Sequence, residues 1–208
     1  MALRLLPFRQ YDEQDVVNLY ALESTLALAD TTVDDAGSNG VFVSVSTGNF
    51  NADTITYDSD SYLGKTNYPF VGGDMYPSND ALTIKAATDG ELPLGVTLNQ
   101  TAKADENGEK LLYNTTKKEE LQAVLPGQSV PVATKGIFTL ADSAFDGAAS
   151  AYPVGTGIKI SSSTDGKVQA GDPTAGTSFG TVLGTGSRAS QGGLTDQFEG
   201  DYIVVKIG

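Results

Sequence analysis

Two acidic runs come closest to supplying the chemistry of a site. Asp58 and Asp60 alternate with Ser59 and Ser61, placing side-chain oxygens at a spacing a hard cation would accept. The run lacks the central glycine and the closing bidentate glutamate of a calcium loop, so a polar turn is the expected reading. Asp105, Glu106, Asn107, Gly108 and Glu109 read the same way, as a charged turn. Asp34 and Asp35 would serve glycoside hydrolysis only if a cleft set their separation. The glycine-rich tract from Gly180 through Gly184 and Gly186 to Arg188 resembles a phosphate cradle only faintly. It lacks the Gly-Lys-Ser/Thr ending and precedes no helical pattern, and is read as a strand followed by a loop.

Composition narrows the chemistry further. The 208 residues contain no histidine and no cysteine. That removes the Ser-His and Cys-His nucleophile pairs, disulfides, and the commonest zinc ligands. This lowers the odds of catalysis without closing the question; the expectation carried forward is a protein that is not an enzyme and holds no metal or cofactor. The formal net charge of −13 opposes phosphate binding, so no nucleic-acid partner is expected. No apolar run reaches the length of a membrane span. Pro7, Arg9 and Asp12 interrupt any signal-peptide core, so synthesis in a cytoplasm is expected.

The elements that would position any site are strands. Val41, Val43 and Val45 alternate with Phe42, Ser44 and Ser46, and Ile203, Val205 and Ile207 alternate with Tyr202, Val204 and Lys206. Leu94, Val96 and Leu98 share one parity, as do Val130, Val132, Phe138 and Leu140. Period two bounded by Asp89-Gly90, Asn107-Gly108, Pro126-Gly127 and Asp165-Gly166 argues short strands joined by tight turns. Pro131 inside such a run predicts an edge strand or a bulge, and Gly136 a kink. One helix is expected over 117–125, with Thr116 as cap and Pro126-Gly127 as stop. Residues 141–152 and 184–200 read as long surface loops, and 24–40 as a linker or loop.

The chain also repeats itself. Tyr76-Pro77, then Leu82 and Ile84, then Thr88-Asp89-Gly90 are echoed by Tyr152-Pro153, Ile158 and Ile160, and Thr164-Asp165-Gly166. Each copy leads to a second phrase, Leu94-Gly95 and Phe179-Gly180, and then to an alternating apolar segment, 130–140 and 202–207. The fold class expected is all-β, a small barrel or sandwich built from two echoing strand–turn–strand units (76–140 and 152–207) with an extended N-terminal arm. Residues 1–22 form the arm or first strand, and 23–208 the β-rich domain. In the arm, Leu3, Leu5, Leu6 and Phe8 are candidate apolar anchors, and Arg4 and Arg9, two of the chain's three arginines, are candidate salt partners on a neighbouring subunit. The alternative for residues 1–10 is a first element of the core. For Val16 to Leu22 the core is favoured.

The order of phrases in the second half carries a resemblance. Val132 to Leu140, Gly155-Thr156-Gly157-Ile158-Lys159-Ile160, Asp165-Gly166-Lys167-Val168, Gly180-Thr181-Val182-Leu183-Gly184 and the terminal alternating strand Asp201 to Ile207 resemble the capsid cement, or head decoration, proteins of tailed bacteriophages. The likeness covers roughly residues 90–208, and no catalytic residue comes with it. The resemblance implies a virion structural protein on the capsid surface. It would bind the major capsid protein, commonly as a homotrimer, and stabilise the mature shell by clamping neighbouring subunits. The runner-up is a tail, fibre or host-adhesion module of a virion. A carboxylate hydrolase using Asp58 or Asp60 ranks third.

Overall fold

The computed structural model describes residues 4–20, 39–49, 82–102, 104–105, 107–125, 128–174, 176–189 and 199–208. Asp34, Asp35, Asp58, Asp60, Leu3, Leu22, Tyr76-Pro77 and Pro126-Gly127 lie outside them. The described chain is all-β, as its period-two patterns require. Its strands are β1 (Leu5–Gln10), β2 (Val16–Tyr20), β3 (Phe42–Asn49), β4 (Leu82–Ala86), β5 (Gly95–Thr97), β6 (Gln100–Thr101), β7 (Ala123–Val124), β8 (Ser129–Ala133), β9 (Gly136–Ala141), β10 (Gly157–Ile160), β11 (Val168–Gly171), β12 (Gly180–Arg188) and β13 (Gly200–Ile207). One short helix, α1 (Thr115–Glu120), is described among them.

Two sheets carry the structure. One has six strands in the order β1-β9-β13-β12-β10-β11, and its neighbours are all antiparallel. The other closes on itself in the order β2-β4-β3-β5-β8. Among the described residues its one parallel pairing is β2 with β4, where Tyr20 is opposite Thr83. The largest apolar cluster lies between the sheets. Leu5, Phe138, Leu140, Ile158, Val182, Ile203, Val205 and Ile207 meet Phe42, Val96 and Ala133 there. Phe42 and Phe179 make a tilted ring contact at 5.2 Å. Val41, Val43, Ile84, Val130 and Val132 form a second cluster within the closed set. Adjacent residues such as Phe42 and Val43 therefore serve different cores, because alternate side chains leave a strand on opposite faces.

That double burial departs from the half-buried strand expected at Leu94 to Leu98. Gly95, Val96, Thr97 and Leu98 are all buried. Thr97 meets its polar need by accepting the Val41 N–H at its hydroxyl, 3.1 Å away. The run 130–140 is likewise two strands in different sheets. Gly136, at φ 143, makes the break, and a side chain there would meet the Gln10 carbonyl at 2.6 Å. Pro131 is neither at a sheet edge nor in a bulge, since β8 lies between β2 and β5 with regular pairing to β2. Its carbonyl accepts from the Leu98 N–H at 3.0 Å, just beyond the end of β5. A residue's amide and carbonyl point to one side of a strand, so the missing proline donor falls where β5 has already ended.

The helix is shorter than expected and its cap differs. Asn114, not Thr116, accepts from Lys117 N–H at 3.1 Å. The segment expected to finish the helix instead supplies β7, which pairs with β6. Ala102, Leu111, Ala123 and Leu125 form a small satellite core there. Residues 184–188 are not loop: they extend β12 along β13, with a register shift between Val182 and Gly184. Residues 141–152 hold two short 3-10 turns, Asp142–Ala144 and Ala149–Ala151, and bury Phe145 and Tyr152.

The echoing segments both form strand–turn–strand units, with different partners. β4 and β5 flank β3, whereas their counterparts β10 and β12 pair directly with each other. The units meet at Gly166, whose N–H donates to the Ala87 carbonyl at 2.9 Å while its own carbonyl accepts from Phe42 N–H at 3.0 Å.

Candidate functional site

The N-terminal segment is an edge strand. Leu5 and Leu6 are buried, and Leu5 joins the main core. Their reading as anchors on a neighbouring subunit is therefore corrected: burial against the chain's own sheet takes up their apolar surface. Leu5 is also held by its N–H donating to Asn39 Oδ1 at 3.4 Å, and Arg4 is half-buried with its carbonyl accepting from Ala141 N–H at 2.9 Å. From Pro7 onward the strand turns outward, and residues 7–10 are exposed. The pairing to β9 shifts register between Leu5 and Arg9, around Pro7. Proline at an edge is consistent with its missing donor, and a bulge re-aims the side chains beside it. Phe8 is 63% exposed, a large apolar surface on an acidic protein.

Arg9 opens onto a cleft of about 370 Å³. It is also lined by the polar Tyr11, Glu13, Asn18 and Asn99 and the apolar Val16, Leu98 and Pro131. Tyr11 is seated by stacking on Phe138, at a ring separation of 6.0 Å and an angle of 17°. Glu13 sits in a 3-10 turn capped by Asp12, whose carboxylate accepts from Gln14 N–H at 2.9 Å. The β2–β8 pairing sets Asn18 opposite Pro131. This open cleft mixes one guanidinium, one carboxylate and two amides with apolar residues, which suits recognition of a protein segment. Of the lining residues, sequence reasoning singled out Arg9 as a contact candidate and missed the polar Tyr11, Glu13, Asn18 and Asn99. They are single polar residues scattered over 11–99, and only strand pairing assembles them.

Other polar clusters stitch the scaffold. Asp105 is the buried centre of the expected charged turn: its Oδ1 accepts from Asn107 N–H at 2.9 Å and Glu109 N–H at 2.8 Å. Asp146 accepts from the hydroxyls of Ser161 and Ser163. Burial raises its carboxyl, but those two hydrogen bonds and the charge of Lys167 outweigh that and leave it below the ordinary value. Among the described residues no three His, Cys, Asp or Glu side chains converge as a metal site.

Glu91 ties β3, β4 and their following turn together. It pairs with Lys85 Nζ at 2.5 Å and accepts from Ser44 Oγ at 2.9 Å and Thr88 N–H at 3.0 Å. The Lys85 bond first, partly opposed by burial, and then the Thr88 and Ser44 bonds lower its pKa from 4.5 to about 2. A carboxylate with a depressed folded pKa stabilises fully above its unfolded value, and that contribution fades as pH falls from 4.5 toward 2. Glu91→Gln is expected to flatten this part of the stability–pH curve and to cost about 1 kcal/mol at neutral pH, solvent screening included. Denaturant titrations of both proteins across that range would check it. Parallel curves would remove Glu91 as the source.

Compared with known proteins, the chain matches no family model, no curated protein and no solved structure.

Proposed function

We propose that this chain is a capsid decoration protein of a tailed bacteriophage, a non-enzymatic virion component that binds outside the mature head. In this reading it clamps neighbouring copies of the major capsid protein, commonly as a homotrimer, without nucleic acid, membrane or cofactor. The observation that carries the proposal is the arrangement of the phrases behind the resemblance. From Gly136 on they follow one continuous sheet, β9-β13-β12-β10-β11, with the terminal strand in its interior, while Val132 and Ala133 at the start of the first phrase belong to β8 of the closed sheet. The edge strand β1, with Phe8 and Arg9, and its adjoining cleft supply the docking surface. Binding only the assembled lattice adds stability to the shell by linkage, and the acidic remainder keeps crowded particles soluble.

Co-sedimentation with undecorated mature capsids tests this. Saturation at a fixed ratio to the major capsid protein is expected. Deleting residues 1–10 would remove Leu5 from the core, so exposed substitutions are the cleaner probe. Phe8→Ala combined with Arg9→Glu is expected to weaken binding by roughly 2 kcal/mol or more, the scale of a central contact, with the melting curve unchanged. If the intact protein leaves shells with empty sites bare, the tail or adhesion reading takes its place.

A further inference from the structure

The chain contains two Asn-Gly pairs, Asn39-Gly40 and Asn107-Gly108. Both have the composition that favours spontaneous deamidation, because glycine offers no side chain to hinder attack by its own nitrogen. The fold treats them differently. Gly40 is buried, and its N–H donates to the Thr97 carbonyl at 2.8 Å, across to β5. A Cβ at Gly40 would lie 3.0 Å from Arg4 Cβ and from the Leu5 nitrogen. The Asn39 side-chain oxygen is engaged by the Leu5 N–H. Bringing the Gly40 nitrogen onto the Asn39 side chain therefore requires parting β1 and β5 from the segment between them.

Asn107 and Gly108 are both exposed, and nothing lies within 4 Å of where a Gly108 Cβ would stand. Their turn is closed locally, by Gly108 N–H to Asp105 carbonyl at 3.0 Å and Asp105 N–H to Glu109 carbonyl at 2.9 Å. Of the turn's described residues, Asp105 is buried while Asn107, Gly108, Glu109 and Lys110 are exposed. Local openings of this kind cost far less than openings of core strands.

We propose that Asn107 is a native-state modification site, deamidating through a succinimide, and that folding protects Asn39. The Gly108 nitrogen, its proton lost to solvent base, bonds to the Asn107 side-chain carbonyl carbon. The bond from that carbon to the side-chain nitrogen breaks, and ammonia leaves with a proton. Water then opens the ring at either carbonyl, giving aspartate or isoaspartate. No oxidant or partner is needed. Either product adds a negative charge beside Asp105 and Glu109. The iso form also lengthens the backbone by a methylene, which breaks the spacing that lets Asp105 hold the amides of residues 107 and 109. The excursion between β6 and β7 thus carries a covalent clock of the protein's age.

The test is to age the intact folded protein in warm, mildly alkaline buffer and follow both sites by peptide mass mapping. Isoaspartate is scored with an isoaspartyl methyltransferase. Asn107 is expected to convert at least tenfold faster than Asn39, since each ~1.4 kcal/mol of extra opening cost is a factor of ten. In strong denaturant the gap should collapse, and Asn107→Gln should remove the isoaspartate signal from the peptide that carries residue 107. Equal rates in the folded protein would overturn the proposal. So would a gap that persists in denaturant, which would assign the difference to flanking residues and not to the fold.

Discussion

Gly166→Val is expected to destabilise the protein by about 3–5 kcal/mol, the sum of a left-handed backbone forced on a β-branched residue and overpacking of a closed core. Gly166 sits at φ 72, where L side chains are disfavoured. A Cβ there would lie 2.5 Å from Val41 Cγ1 and 3.3 Å from Ala86 Cβ. Val41 is only 1% exposed and stiff at its first torsion, so it cannot swing aside. The turn cannot retreat either without breaking the Gly166 bonds to Ala87 and Phe42, which join the second echo unit to the closed sheet. For a chain of this length the melting temperature should fall by roughly 10 °C. Equilibrium unfolding in urea measures the loss directly. A change below ~1 kcal/mol would mean that the junction relaxes freely and does not couple the two sheets.

Truncating Tyr152 should cost a similar amount by a different route. Its ring is fully buried and meets Phe145 edge-on at 5.2 Å. Its hydroxyl donates to the Asp146 carbonyl at 2.7 Å and is 3.2 Å from the Val168 carbonyl. One side chain thus fastens the 141–152 segment to β11. Burial, then the nearby Asp146 charge, push its phenol up to about 12, so the neutral donor is the form present at all ordinary pH. Tyr152→Ala is expected to lose about 3–5 kcal/mol, the range for emptying an aromatic site. Tyr152→Phe keeps the ring and should lose about 1–2 kcal/mol, since it leaves buried carbonyl oxygens without their donor. Chemical denaturation of both variants separates packing from hydrogen bonding. Equal losses would show that the hydroxyl, and not the ring, holds the segment.

Features set within a few residues of chain take the form that their sequence dictates. The parity of Ile203, Val205 and Ile207 is local, and those residues are buried in the structure as their alternation requires. The turns at Asp89-Gly90, Asn107-Gly108 and Asp165-Gly166 are local too, and each glycine takes the positive φ that its dipeptide predicts. Apart from the helix cap, which is Asn114 and not the neighbouring Thr116, the misreadings involve a distant partner. Pro131 suggested an edge, yet β5 ends beside it, and no feature of residues 129–133 announces where another strand stops. The glycines of 184–188 suggested a loop, yet β13 pairs along their whole length. Tyr202 covers Gly186 there, its hydroxyl 2.6 Å from where a Cβ would stand. Leu5 and Leu6 suggested an external anchor, because hydrophobicity says only that a side chain leaves water and not which surface receives it.

Composition and short-range pattern by themselves determined that the chain is all-β and acidic, and where its tight turns fall. They also showed that histidine and thiol chemistry are absent from it. Tertiary structure alone decided that β8 and β9 enter different sheets and that the echoing units take different partners. It alone decided that Arg9, Tyr11, Glu13, Asn18 and Asn99 share one cleft, and that one Asn-Gly pair is buried while its twin is exposed. The physical reason is range. Backbone torsions and alternation are fixed within a few residues, whereas burial and site geometry depend on which strands pair across long stretches of chain.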